Sequence, residues 1–283
     1  MGETFTTRSF LAAKQKNKKI TMLTAYDYSM AQIEDGCGID CILIGDSLGM
    51  VIQGCSSTLE VTMDDMLYHC RCVARGTKNA LLVGDMPFLS YHISDEEAVR
   101  NAGRFIQEGK VNAVKLEGGQ SMISTIKAIV RVQIPVMGHI GLTPQSINVL
   151  GGFRVQGKEE AAARGLIQDA LALEKAGVFS IVLEAVPEEL ARIITEKVSI
   201  PTIGIGAGRY CDGQVLVIND ILGLYSDFTP TFVKQYAHLK DTISSAVSDY
   251  IQEVRNQQFL EAKHVFSLDE SVLKILKETE EGM

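Results

Sequence analysis

Eight short runs rich in apolar and β-branched residues recur along this chain: "KITMLTAYD", "CILIGDS", "ALLVGDMPF", "AVKLEGG", "IPVMGHIGL", "SIVLEAV", "IPTIGIGAG" and "QVLVIND". Short, largely apolar runs of this kind read as strands covered on both faces. Helical patterns separate most of them. "VTMDDMLYHCRCVARG" sets Thr62 three residues before Asp65, a capping-box spacing, and ends on Gly76. "SDEEAVRNAGRFIQEG" repeats the spacing with Ser94 and Glu97 and ends on Gly109. "KEEAAARGLIQDALALEKAG" is amphipathic and stops at Gly177, while "PEELARIITEKV" opens with Pro187 at its first helical position. Strands alternating with helices become parallel neighbours joined by crossovers. Eight of them in 283 residues predict an α/β chain folded as a (β/α)8 TIM barrel, with a doubly wound open sheet as the alternative. No linker or low-complexity segment divides the chain. We therefore expect one domain over 1–283, with a core at about 20–230, an N-terminal helix within 1–19 and a helical extension over 230–283.

A hydrophobic fraction of 46% supplies a full core, and 22% charged residues are ordinary for a soluble protein. The net charge of −8 argues against a nucleic-acid or anionic-membrane partner. No apolar stretch approaches the ~18 residues of a membrane span. "MGETFTTRSF" lacks a basic-then-apolar export pattern, and the six cysteines contain no C-x-x-C pair. These features predict a cytoplasmic protein with reduced thiols. Lys14, Lys16, Lys18 and Lys19 read as a solvated helix face.

In a barrel, functional groups stand at the C-terminal ends of the strands. Here those ends carry Tyr26 and Asp27, Asp46 and Ser47, Asp85, Lys115 and Glu117, His139, Glu184, and the turn "GIGAG". Lys115 and Glu117 are two apart and share one strand face, which turns Leu116 toward the helices. The same alternation aims Glu184 inward. Asp46, Asp85, Glu117 and Glu184 then meet in one cavity, where carboxylates repel unless counter-charged. Lys115 supplies one positive charge, and a hard divalent cation such as Mg²⁺ suits the all-oxygen remainder. Each group also has a plainer reading. Asp46 and Glu184 can cap turns or helices, Asp85 can shape its turn, and Lys115 with Glu117 can be a barrel ion pair. Tyr26 and Asp27 can pair locally, His139 can be a hydrogen-bonded core histidine, and "GIGAG" can be a tight turn.

The stretches "TAYDYSMA", "GDSLGMVIQG", "STLEVTMDDM", "GDMPFLSY", "VKLEGG", "GHIGLTPQS", "GGFRVQGK", "DALALEKAG", "LEAVP" and "IGIGAGRYCDGQVLV" together resemble the ketopantoate hydroxymethyltransferase family, from about Thr21 to Tyr236. The resemblance implies hydroxymethyl transfer from 5,10-methylenetetrahydrofolate to 3-methyl-2-oxobutanoate, giving 2-dehydropantoate for pantothenate and coenzyme A synthesis. It implies one Mg²⁺ per subunit held by Asp46 and Asp85, with Glu117 in the metal shell. Ser47, Lys115, Asp46 and Asp85 would bind the keto acid, Glu184 would take the proton, and His139 would stand behind them. It also implies a large homo-oligomer, a decamer of two pentameric rings. Cys55 stands where a His or Tyr is expected, and the tail "FLEAKHVFSL" only loosely follows the pattern. The rival readings are an isocitrate-lyase-like carbon–carbon lyase, a phosphosugar isomerase or aldolase, and a non-catalytic ligand-binding barrel. No "KKCGH"-type segment supports the first, and neighbouring Asp46 and Asp85 would repel the phosphate of the second.

Overall fold

The computed structural model describes residues 4–224 and 230–280. Residues 1–3 of the expected N-terminal extension, 225–229 at the end of the expected core, and 281–283 of the tail lie outside the described residues. The eight runs form β1 (Ile20–Thr24), β2 (Cys41–Ile44), β3 (Leu81–Asp85), β4 (Ala113–Glu117), β5 (Val136–Gly141), β6 (Ser180–Glu184), β7 (Thr202–Ile205) and β8 (Gly213–Leu216). They pair in parallel in chain order, and β8 pairs back onto β1. That closure establishes the barrel and excludes the open sheet.

Helix punctuation acts largely as its chemistry dictates. Thr62 and Asp65 form a reciprocal capping box at the start of Met63–Gly76. Ser94 caps Asp95–Gln107 by accepting from the Glu97 N–H, without the return bond of a full box. Gly177 ends Glu160–Ala176 in the left-handed conformation that lets a C-terminal N–H turn back to the last carbonyls.

Strand alternation divides the apolar residues into two layers. Met22, Leu43, Val83, Met137 and Val182 point into the barrel, while Ile42, Leu82, Val114, Leu116 and Leu183 pack under the helices. The inner layer is closed at the strand N-termini by the helix Thr7–Gln15, whose Phe10 is fully buried among it. Phe10 stands edge-on to Phe179 at 5.2 Å. The helix is also clamped by charge. Lys14 Nζ donates to the carbonyls of Thr195 and Ile200 and, at 2.9 Å, to Asp212 Oδ2. Lys19 Nζ donates to the Cys211 carbonyl. The lysine cluster is therefore not one solvated face. A helix lying across the barrel end brings Lys14 onto the carbonyls of Thr195, in the last turn of the helix Glu188–Lys197, and Ile200 beyond it, while Lys16 and Lys18 stay exposed.

The chain divides into two compact units, residues 1–236 and 237–283. In the second unit, helices span Leu239–Arg255 and Glu270–Glu280, and Tyr250 stands edge-on to Phe259. Among the described residues no helix is long and apolar enough to cross a membrane.

Candidate active site

The alternation that builds the inner apolar layer also builds the charged layer above it. Leu81 and Val83 lead to Asp85 on β3, and Ala113 leads to Lys115 and Glu117 on β4. The register sets Asp85 beside Lys115, Glu117 beside His139, and Gly141 beside Glu184. Asp46 and Ser47 follow β2 directly. The structure thus brings Asp46, Asp85, Lys115, Glu117, His139 and Glu184 to one mouth.

Lys115 Nζ lies 2.7 Å from Asp85 Oδ1, an ion pair between side chains 4% and 3% exposed. Apart from Lys115, Asp85 Oδ1 has no polar partner among the described residues. His139 bridges two carboxylates, with Nδ1 3.4 Å from Glu117 Oε1 and Nε2 3.2 Å from Glu184 Oε2. Glu184 is the most open of the carboxylates, with 15% of its side chain exposed. Ser47 Oγ shares a 2.8 Å hydrogen bond with the Tyr26 hydroxyl. Asp27 instead caps the helix Tyr28–Gly36.

Burial, reinforced by the charges of Asp85 and Glu117, pushes the Asp46 carboxyl well above the usual carboxylate range. Burial also raises Asp85, although Lys115 opposes it. Burial works the same way on Glu117, but the His139 contact, the Lys115 charge and the Gln145 N–H outweigh it and bring its value down. Burial and Lys115 disfavour a charged His139, yet Glu117 and Glu184 prevail and lift it from 6.5 to about 9. The two carboxylates thus favour the imidazolium form of His139, while its Nδ1 also lies 3.3 Å from Lys115 Nζ. Burial disfavours the Lys115 charge, and three surrounding carboxylates restore it.

Several plainer readings fail on geometry. The Asp46 side chain bonds Gln145 rather than a helix end, and no side chain caps Glu188–Lys197. "GIGAG", in contrast, has a packing explanation. Gly206 and Gly208 both have positive φ, and a Cβ would meet Phe232 at 2.8 Å and Glu188 at 2.4 Å respectively. A cavity of about 720 Å³ lies elsewhere, bordered by Lys19, Leu23, Arg209, Gln214 and Phe232, and none of the charged cluster lines it.

The family model described as ketopantoate hydroxymethyltransferase matches residues 4–262. The chain belongs to the ketopantoate hydroxymethyltransferase family. That is a family of transferase enzymes. A Clostridium beijerinckii relative named 3-methyl-2-oxobutanoate hydroxymethyltransferase is 61% identical over 271 residues, covering 96% of this chain and 98% of that one. A Clostridioides difficile relative of the same name is 58% identical with the same coverage. Among solved structures, 2,3-dimethylmalate lyase, a PEP mutase/isocitrate lyase superfamily member, superposes with a TM-score of 0.60 at 14% identity, over 99% of this chain and 98% of that one. A phosphonopyruvate hydrolase complex with oxalate and Mg²⁺ gives 0.61 at 11%, over 97% and 95%. These two share the barrel fold.

Within this family member, the mouth suits a hard cation. Among the described residues no three His, Cys, Asp or Glu side chains form a complete cage. Mg²⁺ does not need one, because it takes one or two carboxylates and completes its shell with water and substrate. Among the described residues Lys115 is the one positive group on Asp85 Oδ1, and Asp46 is crowded by two like charges, so the cluster keeps the oxygen-rich, negative excess that such an ion relieves. Glu117 is already engaged, by His139 on Oε1 and by the Gln145 N–H on Oε2. Two residues at the mouth went unassigned in the sequence. Gln145 and Tyr91 are both buried and hydrogen-bonded to each other at 2.6 Å. Their signal was their place just beyond β5 and β3, inside "GHIGLTPQS" and "GDMPFLSY".

Proposed function

We propose that this protein transfers a hydroxymethyl group from 5,10-methylenetetrahydrofolate to 3-methyl-2-oxobutanoate, giving 2-dehydropantoate for pantothenate synthesis. One observation carries the mechanism: Glu184, the most open carboxylate, stands at the same mouth as the Asp46, Asp85 and Lys115 cluster. Asp46 and Asp85 would hold Mg²⁺, with Glu117 reaching it through water. When bound there, Mg²⁺ supplies a Lewis acid for the keto carbonyl and acidifies the C3 hydrogen. Lys115 pairs with the substrate carboxylate and fixes its orientation. Ser47, held by Tyr26, donates to the same substrate. Glu184 removes the C3 proton, and the His139 ring, 3.2 Å away, steadies the carboxylate. The C3 carbon then bonds the methylene carbon of the folate as one of that carbon's two C–N bonds breaks, and the freed nitrogen takes a proton. Water hydrolyses the adduct, releasing the hydroxymethylated acid and tetrahydrofolate. The family motifs also support a cytoplasmic homo-oligomer, a decamer of two pentameric rings.

The test follows the C3 hydrogen of 3-methyl-2-oxobutanoate by NMR in D₂O, with enzyme and Mg²⁺. Exchange that stops with chelator, and that Glu184→Gln abolishes without loss of keto-acid binding, is the expected result. Normal turnover by Glu184→Gln would overturn the base assignment. If folate must bind first, exchange appears once 5,10-methylenetetrahydrofolate is added. Absence of both exchange and 2-dehydropantoate then refutes the function.

A further inference from the structure

One neutral side chain sits within the charged layer. Gln145 is 5% exposed and lies in the 3-10 turn Pro144–Ser146 that follows β5. Every polar atom of its side chain is used. Nε2 donates to Asp46 Oδ2 at 2.8 Å and to the Met86 carbonyl at 2.9 Å, and Oε1 accepts from the Tyr91 hydroxyl at 2.6 Å. Its backbone N–H donates to Glu117 Oε2 at 3.0 Å. Tyr91 in turn accepts from the Glu117 N–H at 3.2 Å, so its own single proton goes to Gln145.

The amide has one orientation only. Reversed, it would set its oxygen against the Met86 carbonyl, an acceptor that carries no proton, and would lose the donation to Asp46 Oδ2. The locked amide commits Oδ2 of Asp46 and leaves Oδ1 as the oxygen that it does not occupy. It also ties the ends of β2, β3 and β4 to the turn after β5. A bond made only for packing could end anywhere on the backbone. Here two of the four donations and acceptances of Gln145 end on Asp46 and Glu117 themselves.

We propose that Gln145 is a positioning residue for the cation site: it selects Oδ1 of Asp46 as the ligating oxygen, and Tyr91 acts through it by fixing the amide. This rests on the reading that Asp46 and Asp85 hold a divalent cation. Partners behind a metal ligand orient it, and their loss costs about 10- to 100-fold in metal affinity.

The experiment is Mg²⁺ titration of the full-length protein by calorimetry, with no substrate present. The variants are Gln145→Met, Tyr91→Phe, their double variant, and Asp85→Asn, with a thermal melt for each. Gln145→Met should weaken Mg²⁺ by roughly 10- to 100-fold while the melt stays cooperative. Tyr91→Phe should weaken it in the same direction. In the Gln145→Met background, Tyr91→Phe should change the Kd by less than about twofold, because its path through the amide is already cut and its other bond ends on the Glu117 backbone N–H rather than on the carboxylate. A structural role would give additive losses. Wild-type affinity in Gln145→Met, with binding lost in Asp85→Asn, overturns this proposal alone, as does additivity of the pair. Wild-type affinity in Asp85→Asn overturns the cation assignment and this proposal with it. If Gln145→Met fails to melt cooperatively, Tyr91→Phe decides: unchanged Mg²⁺ affinity there overturns the proposal.

Discussion

Glu34 is a carboxyl group in the wrong place for stability. It lies on the helix Tyr28–Gly36 at 4% exposure, and neither side-chain oxygen has a hydrogen-bond partner among the described residues. Burial, with a smaller contribution from the Asp27 charge, raises it from 4.5 to about 8. A carboxyl with a raised folded value holds its proton more tightly in the folded chain. The folded state therefore loses stability as pH climbs above 4.5, and the full penalty is reached above about 8. At about 1.36 kcal/mol per pH unit of separation, the penalty at pH 8 exceeds that at pH 5 by about 3 kcal/mol. Glu34→Met keeps the side-chain length and removes the titrating group. The assay is differential scanning calorimetry of both proteins at pH 5, 6.5 and 8, at one fixed protein concentration. At about 2–4 °C per kcal/mol for a chain of this size, the variant's lead in Tm should widen by roughly 6–12 °C from pH 5 to pH 8. A lead that is constant or that narrows with pH would refute the reasoning, since only the Glu34 ionisation differs between the two proteins.

Gly141→Ala tests how tightly Glu184 is placed. Gly141 has φ +96°, and an added Cβ would lie 2.3 Å from the Glu184 carbonyl oxygen across the β5–β6 pairing. Shifting that backbone should cut C3–H exchange by about 10²-fold, the cost of a misplacement near 1 Å, while Mg²⁺ affinity stays within a few-fold. Asp212→Asn tests the clamp at the opposite end. Asp212 Oδ2 accepts from Lys14 Nζ and the Thr202 N–H, each at 2.9 Å, and loss of the charge should cost about 2 kcal/mol in a melt without altering Mg²⁺ binding.

The barrel was legible because its evidence is local and repeated. Each strand is a short apolar run, several crossovers carry their own cap, and the period of two fixes which residues share a face. That period also exposed the site's strand-borne members, since Asp85, Lys115, Glu117, His139 and Glu184 follow the inward parity of the strands that carry them. Lys14 was misread for the complementary reason. Its spacing from Lys16, Lys18 and Lys19 describes a charged stretch, but not that the barrel end supplies two carbonyls and a carboxylate to one of them.

Gln145 and Tyr91 show where such reading stops. Neither sits on a strand, so no parity applies to them. Their partners are 99 and 28 residues away for Gln145, and 54 and 26 for Tyr91. Glutamine and tyrosine in a loop carry no charge imbalance to draw notice. Yet a charged layer of this density depends on neutral residues. Asp46, Asp85 and Glu117 leave too few positive groups to pair each acceptor, and a neutral amide satisfies oxygens without adding charge. A further lysine at position 145 would cancel the negative excess on which cation binding depends, and a glutamate would repel Asp46 across 2.8 Å. Glutamine, oriented by a tyrosine, meets both constraints.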